Sequence, residues 1–174
     1  MHGCRSALAM TAAAIALGGV VATGPATAAA PRQASSASPA PPPRIESALL
    51  SAMNRARVQR GLRPLRSIRT LRRPARGQSR YLRRIGTLDH AGADGSPFWT
   101  RLIAAGYPRR RSLGENLAMV PGCGRNVAAR TVRMWLKSPG HRANLLNPAF
   151  RWTGAGVAVG SNCSVTFVTA DYGS

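Results

Sequence analysis

Apolar residues recur at helical spacing in four stretches before the pattern turns to that of strands. Over 45–60, Ile45, Leu49, Met53 and Ala56 share one stripe, Glu46 favours the N-terminal end of the dipole, and Gly61 offers a stop. Leu62 to Leu65 then turns the chain. A second helix is predicted over 71–85, with Leu71, Ala75, Gln78, Leu82 and Ile85 inward, Thr70 as cap and arginines on the other face. Pro74 is placed in its first turn, where a missing N–H costs little. Gly77 weakens it by about 1 kcal/mol relative to alanine. Residues 86–92 end that helix and present His90 on a connecting segment. Ser96-Pro97, a cap followed by proline at the first helical position, opens a short helix with Phe98, Trp99, Leu102 and Ile103 that stops at Gly106. Asn126 is placed to cap a fourth helix with Ala128, Val132, Trp135 and Leu136 inward. Two β-rich runs, 154–160 and 164–172, joined by a hairpin turn at 161–163, close the chain. Helices first and an antiparallel sheet last define an α+β domain with helices covering the sheet. Trp135 and Trp99 read as core, and Trp152 as core or cavity wall.

The first thirty residues stand outside this pattern. Arg5 supplies a positive charge, residues 7–21 an apolar run and residues 26–30 small side chains for cleavage, which predicts a secretory signal peptide over 1–30. The run is short for a bilayer span, a retained anchor being the alternative. Residues 31–43, rich in Pro, Ala and Ser, read as a linker. One domain is then expected over 44–174, secreted and free to associate with the cell envelope.

Export bears on the cysteines. Cys4 leaves with the signal peptide, and Cys123 and Cys163 remain as an even pair in an oxidising compartment. A disulfide tying a mid-chain loop to the last hairpin is expected, two free thiols being the alternative. Charge is the other extreme: Lys+Arg is 25 against 5 Asp+Glu, a net +20, or +19 without Arg5, and Lys137 is the one basic residue that is not arginine. Such a field attracts polyanions without selecting among nucleic acid, anionic lipid and a phosphate-bearing wall. No helix-turn-helix or zinc finger is present, so no sequence-specific nucleic-acid binding is expected. A GC-rich coding sequence would also favour arginine, and a cationic surface facing an anionic envelope is the plainer reading.

Of three histidines, His90 and His141 are the candidates for chemistry, with Glu115 between them. His141 follows a Ser138-Pro-Gly turn in a segment, 138–148, that also carries Arg142 and Asn144 beside an apolar Leu145-Leu146 pair. Two imidazoles and one carboxylate suffice for a divalent cation with open positions; equally, each imidazole can complete a turn or cap. No His-Glu-x-x-His pair fixes two ligands on one helix. Glu115, one carboxylate in so positive a chain, should be ionised and paired, and Arg142 is the salt-bridge partner at hand. Asn116 and Asn144 read as amides that pin backbone around a cleft. No serine shows a nucleophile elbow or a paired base.

Taken in order, the chain carries Asn54-Arg-Ala-Arg57, Gly61-Leu-Arg-Pro-Leu65, Asp89-His90, Ser96-Pro-Phe-Trp99, Ala104-Ala-Gly-Tyr107 and Gly114-Glu-Asn-Leu117. Met134-Trp-Leu-Lys-Ser-Pro-Gly-His-Arg-Ala-Asn-Leu-Leu-Asn-Pro148 and Thr153-Gly-Ala-Gly-Val-Ala158 complete the series. It resembles the CAP superfamily, the SCP-like extracellular proteins that include the pathogenesis-related proteins of plants, and particularly its bacterial branch, over 45–172. The resemblance implies an α-β-α sandwich with a central antiparallel sheet flanked by helices and a central cavity. Carried over by position, the cavity is lined by His90, His141 and Glu115, with Asn116, Arg142 and Asn144 around them and zinc as the implied cofactor at His90 and His141. Two departures stand out. About twenty residues, including the 98–105 helix, separate His90 from Glu115 where plant and animal members have a short link. The second acidic residue of the family has no counterpart after Trp135, where Leu136, Lys137 and Ser138 stand.

These features together imply a secreted, monomeric, non-enzymatic binding protein for lipid or envelope ligands, with a metal-competent cavity. The alternatives are a metal-dependent hydrolase of cell-wall or peptide substrates with Glu115 as base, and a cationic polyanion-binding protein.

Overall fold

The computed structural model describes residues 42–174; the expected signal peptide, and the expected linker up to residue 41, lie outside the described residues. Helix α1 (Pro42–Val58) starts three residues before the predicted stripe, because Pro42 and Pro43 fit a first turn whose N–H groups have no helical partner. Ile45, Leu49, Ala52, Met53 and Ala56 are buried along it, as the spacing predicts. Glu46 lies beyond the first turn and is held by Arg76 Nε at 2.9 and 3.0 Å, so its role is an ion pair with α2.

Helix α2 (Arg69–Ile85) begins two residues earlier than predicted. Ile68 takes the cap position, Thr70 lies inside the helix, and Pro74 falls in the second turn, while Ile85 is exposed. Helix α3 (Phe98–Ala104) has Pro97 at its cap position, and Ser96 instead bonds Asp94 Oδ1 through both its N–H and its hydroxyl. Trp99, read as core, is 49% exposed and packs edge-on against Phe98. Helix α4 (Val127–Lys137) has Asn126 at its cap position without a side-chain bond, and buries Ala128, Val132 and Trp135. The Ser-Pro-Gly turn is in fact the start of another helix, α5 (Pro139–Leu145), with Ser138 as its cap residue.

Four strands form one sheet in the order β1-β3-β4-β2: β1 (Arg66–Ser67), β2 (Leu113–Pro121), β3 (Trp152–Val159) and β4 (Val165–Gly173). The β3–β4 hairpin is closed by a 3₁₀ turn at Ser161–Cys163, and β4 pairs antiparallel with β2 along its whole length. A two-residue parallel contact of β1 with β3 adds the other edge. One sheet face, with Val120, Val157, Val168 and Tyr172, packs on α1, α4 and α5. The other, with Leu117 and Phe167, packs on α2. Trp152, half-buried, joins Leu71, Leu102 and Tyr107 where α2 meets α3. The result is the expected α+β sandwich of helices about a central sheet.

Two constraints fix its layers. The backbone of α2 lies directly on β3: a Cβ at Gly154 would sit 2.1 Å from the carbonyl carbon of Leu71, and one at Gly156 2.2 Å from that of Ala75. On the opposite face, the fully buried Arg57 donates to the carbonyls of Leu145 (2.8 Å), Asn147 (3.0 Å) and Phe150 (3.2 Å), tying α1 to the end of α5. The Cys123–Cys163 disulfide forms as expected, joining the loop after β2 to the hairpin turn over 40 residues of sequence.

Gly156→Ala should cost about 3 kcal/mol, since its neighbour is backbone that cannot rotate aside. Gly77→Ala, with nothing within 4 Å, should stabilise by about 1 kcal/mol. Denaturant midpoints of the two variants check this contrast. Replacing both cysteines by serine should lower unfolding free energy by up to about 4 kcal/mol, the loop-closure entropy of a 40-residue ring.

Candidate functional site

His90 stands on the segment between α2 and α3, and that segment is clamped from two helices. Gln78 of α2 donates to the carbonyls of Asp89 (2.7 Å) and Ala91 (3.0 Å), and Arg101 of α3 donates to that of His90 (2.9 Å). The imidazole is thereby aimed at the sheet edge: its Nδ1 lies 2.7 Å from Oε1 of Glu115, whose side chain is fully buried, while the ring remains 57% exposed. The second carboxylate oxygen of Glu115 accepts from the Arg101 guanidinium. Arg101, not Arg142, is thus the salt-bridge partner.

Glu115 and Asn116 are consecutive on β2, so they point to opposite faces. Asn116 therefore serves α5. Its amide donates to the carbonyl of His141 (2.8 Å) and to Tyr172 Oη (3.3 Å), and its oxygen accepts from Asn144 (3.0 Å). Asn144 also donates to the Glu115 carbonyl (3.1 Å). Both amides pin backbone around the cleft, as read from the sequence. His141 is the third residue of α5, and its Nδ1 lies 2.9 Å from the hydroxyl of the cap residue Ser138. That cap-to-third-residue pairing has the logic of a capping box. Burial, and then the neighbouring charge of His90, pushes His141 below its usual range; burial, and then Arg101, does the same for His90. Both rings are neutral at pH 7, and they lie close enough for charge on one to oppose charge on the other. Arg142 is exposed and lines a separate groove with Leu136, Lys137 and Leu146.

Two residues of the cluster were not singled out from the sequence. Arg101 is one; a signal was available in a basic side chain next to Leu102 in an otherwise apolar short helix. Asp171 is the other. It is directly opposite Glu115 in the β2–β4 register and fully buried, with neither oxygen hydrogen-bonded. Its signal was a carboxylate within the alternating β4 run, at the spacing of Phe167 and Thr169. Burial, only partly opposed by Arg101 and His90, pushes its carboxyl up to about 8, so it is mostly neutral at pH 7.

Zinc is the cofactor that the resemblance implies, and these residues do not fit it. Both oxygens of Glu115 and the Nδ1 atoms of both histidines already have partners. Among the described residues, no three His, Cys, Asp or Glu side chains are grouped to hold a metal ion. Ser138 and His141 do not form a nucleophile and base either, since no side chain orients His141 through its other nitrogen among the described hydrogen bonds.

The buried carboxyl sets a pH dependence. Unfolded Asp171 ionises near 3.8 and folded Asp171 near 8, so between these values the folded state binds the extra proton and stability falls as pH rises. The histidines act oppositely, since their lowered values cost stability only as pH drops through about 6.5. From pH 7 to 8 the loss should approach 1.4 kcal/mol per pH unit. Thermal melts across this window should slope downward in the native chain and be flat in Asp171→Asn.

Residues 50–172 match the family model described as the cysteine-rich secretory protein family, CAP. The uncharacterized protein YkwD of Bacillus subtilis (strain 168) is 33% identical over 113 residues, covering 64% of this chain and 41% of that protein. The chain thus spans about two fifths of the length of that curated relative. A solved extracellular protein of Bacillus anthracis containing an SCP domain superposes with a TM-score of 0.60 at 26% identity, over 75% of this chain and 40% of that one. An outer surface protein of Borrelia burgdorferi shares the fold at a TM-score of 0.65 and 20% identity, over 79% of this chain and 97% of that one. With its sandwich of helices about the sheet and a family match across all but the first turns of the described domain, the chain belongs to the CAP family and to its bacterial SCP-like members.

Proposed function

We propose that the protein is an exported, non-enzymatic CAP-domain binding protein whose ligand is an anionic component of lipid or cell envelope. The observation that carries this is the fate of the five acids. Glu46 is paired with Arg76 and Glu115 with Arg101; Asp171 is buried. Asp89 and Asp94 accept bonds from their own loops. Among the described residues only Arg76 and Arg101 reach a carboxylate, so the remaining arginines present uncompensated charge. On α2 alone Arg69, Arg73, Arg80, Arg83 and Arg84 are exposed. Charge and apolar surface meet in the groove of about 670 Å³ between α4 and α5, where Leu136, Ala143 and Leu146 lie beside Lys137 and Arg142. Such a groove suits an amphiphile with an anionic head. Export is supported by the leader-like residues 1–30 and by the extracellular description of the Bacillus anthracis relative. Among the described residues no helix is long and apolar enough to cross a membrane.

Binding of the full chain to vesicles with and without anionic lipid, and to heparin as a soluble polyanion, tests the reading. Anionic vesicles should be bound, zwitterionic ones not, and affinity should fall steeply between 50 and 200 mM salt. Each exposed α2 arginine changed to glutamine should weaken vesicle binding by about 1 kcal/mol, roughly fivefold. Equal affinity for heparin and duplex DNA, without vesicle binding, would show charge without an envelope ligand. Salt-insensitive binding, or turnover of a cell-wall or peptide substrate, would sink the proposal.

A further inference from the structure

We propose that Arg101 is a resident cation that keeps this site closed to divalent metal, so that one residue of α3 decides what the cleft accepts. Arg101 enters between the carboxyl groups from the helix that lies in the long stretch between His90 and Glu115. One of its amino groups takes the free oxygen of Glu115, and the other takes the carbonyl of His90. Its Nε is buried without a partner, as are both oxygens of Asp171 across the strand pair. Glu115, Asp171 and His90 therefore surround a guanidinium instead of converging on one point, which is why no metal-holding group forms there. A guanidinium does not lose its proton in a protein, and its planar fork fits a carboxylate. A metal would have to expel it whole and strand its charge inside the fold, an outcome that burial penalises heavily.

The cluster also explains itself without a metal. Arg101 balances Glu115, the uncharged Asp171 adds no second negative charge at neutral pH, and His90 is held by its backbone and by Glu115. With the guanidinium gone, two carboxyl groups on adjacent strands and one imidazole would be left facing each other, a donor set of the kind that zinc takes.

Zinc titration of the metal-stripped full chain, read as thermal midpoint and by calorimetry, tests this. The native chain should show no zinc effect that depends on His90 or His141. Arg101→Met should gain a zinc-dependent rise of several degrees, lost again when Glu115→Gln is added, whereas Arg101→Lys, which keeps the cation, should gain none. A folded Arg101→Met that gains nothing overturns the proposal. So does a zinc-dependent rise in the native chain that vanishes in His90→Ala or His141→Ala. Should Arg101→Met fail to fold with Glu115 left unpaired, the native and Arg101→Lys titrations decide alone: no His90-dependent rise in either supports the proposal, and one in either overturns it. These titrations do not depend on which anionic ligand the surface binds.

Discussion

The seat of α2 on β3 is the constraint from which the rest of the site follows. Helices normally rest on a sheet through a layer of side chains, about 10 Å from axis to sheet. Here Gly154 and Gly156 remove that layer, and the carbonyl groups of Leu71 and Ala75 come down onto the strand itself. The close seat brings Ser79 within 2.9 Å of Thr169 and carries Gln78 to the carbonyls on either side of His90. A helix lifted by a single methyl layer would take Gln78 with it and release the histidine segment. Packing in the sheet and chemistry at its edge are therefore one problem.

A buried carboxylate is tolerated only if its partners are complete. Glu115 meets that condition with one imidazole and one guanidinium, and Asp171 meets it differently, by remaining protonated. The two solutions depend on each other. Arg101 cannot fully serve two adjacent carboxylates, and a second negative charge beside Glu115 would compete for it. The unbonded Nε of Arg101 and the unbonded oxygens of Asp171 mark the place where this balance is least comfortable.

The apolar stripes of α1, α2 and α4 and the closing hairpin were legible in the sequence because each repeats with the period of its element. Element ends were less so. Thr70 and Ser96 look like caps by type, but capping is settled by where the chain leaves the preceding contact: Ile68 is fixed by pairing with β3, and Ser96 by Asp94. β2 was hidden because Gly114, Glu115 and Asn116 are poor strand formers, and only register with β4 makes them one. Trp99 was misplaced because apolar character says nothing about which side of a two-turn helix is covered. His90, Glu115 and His141 were found through motif resemblance. Arg101 and Asp171 were not, because their role comes from contacts between elements distant in sequence: 14 residues separate Arg101 from Glu115, and Asp171 meets β2 only across the sheet.

The two histidines belong to different layers, and β2 alone relates them. His90 approaches Glu115 from the α2 face, whereas His141 is held by Asn116 on the face of α5. Neighbouring residues of an edge strand thus address opposite sides of the sheet, and a register slip of one residue would exchange them. What prevents the slip lies away from the imidazoles. Gly114 leaves no room for a side chain, since a Cβ there would lie 2.9 Å from Asn144 Oδ1 and 3.0 Å from the Phe150 ring. Phe150 is in turn stacked on Tyr172, and its carbonyl is held by Arg57. The buried arginine of α1 thereby fixes the strand register that brings the two faces of the cleft together at one edge.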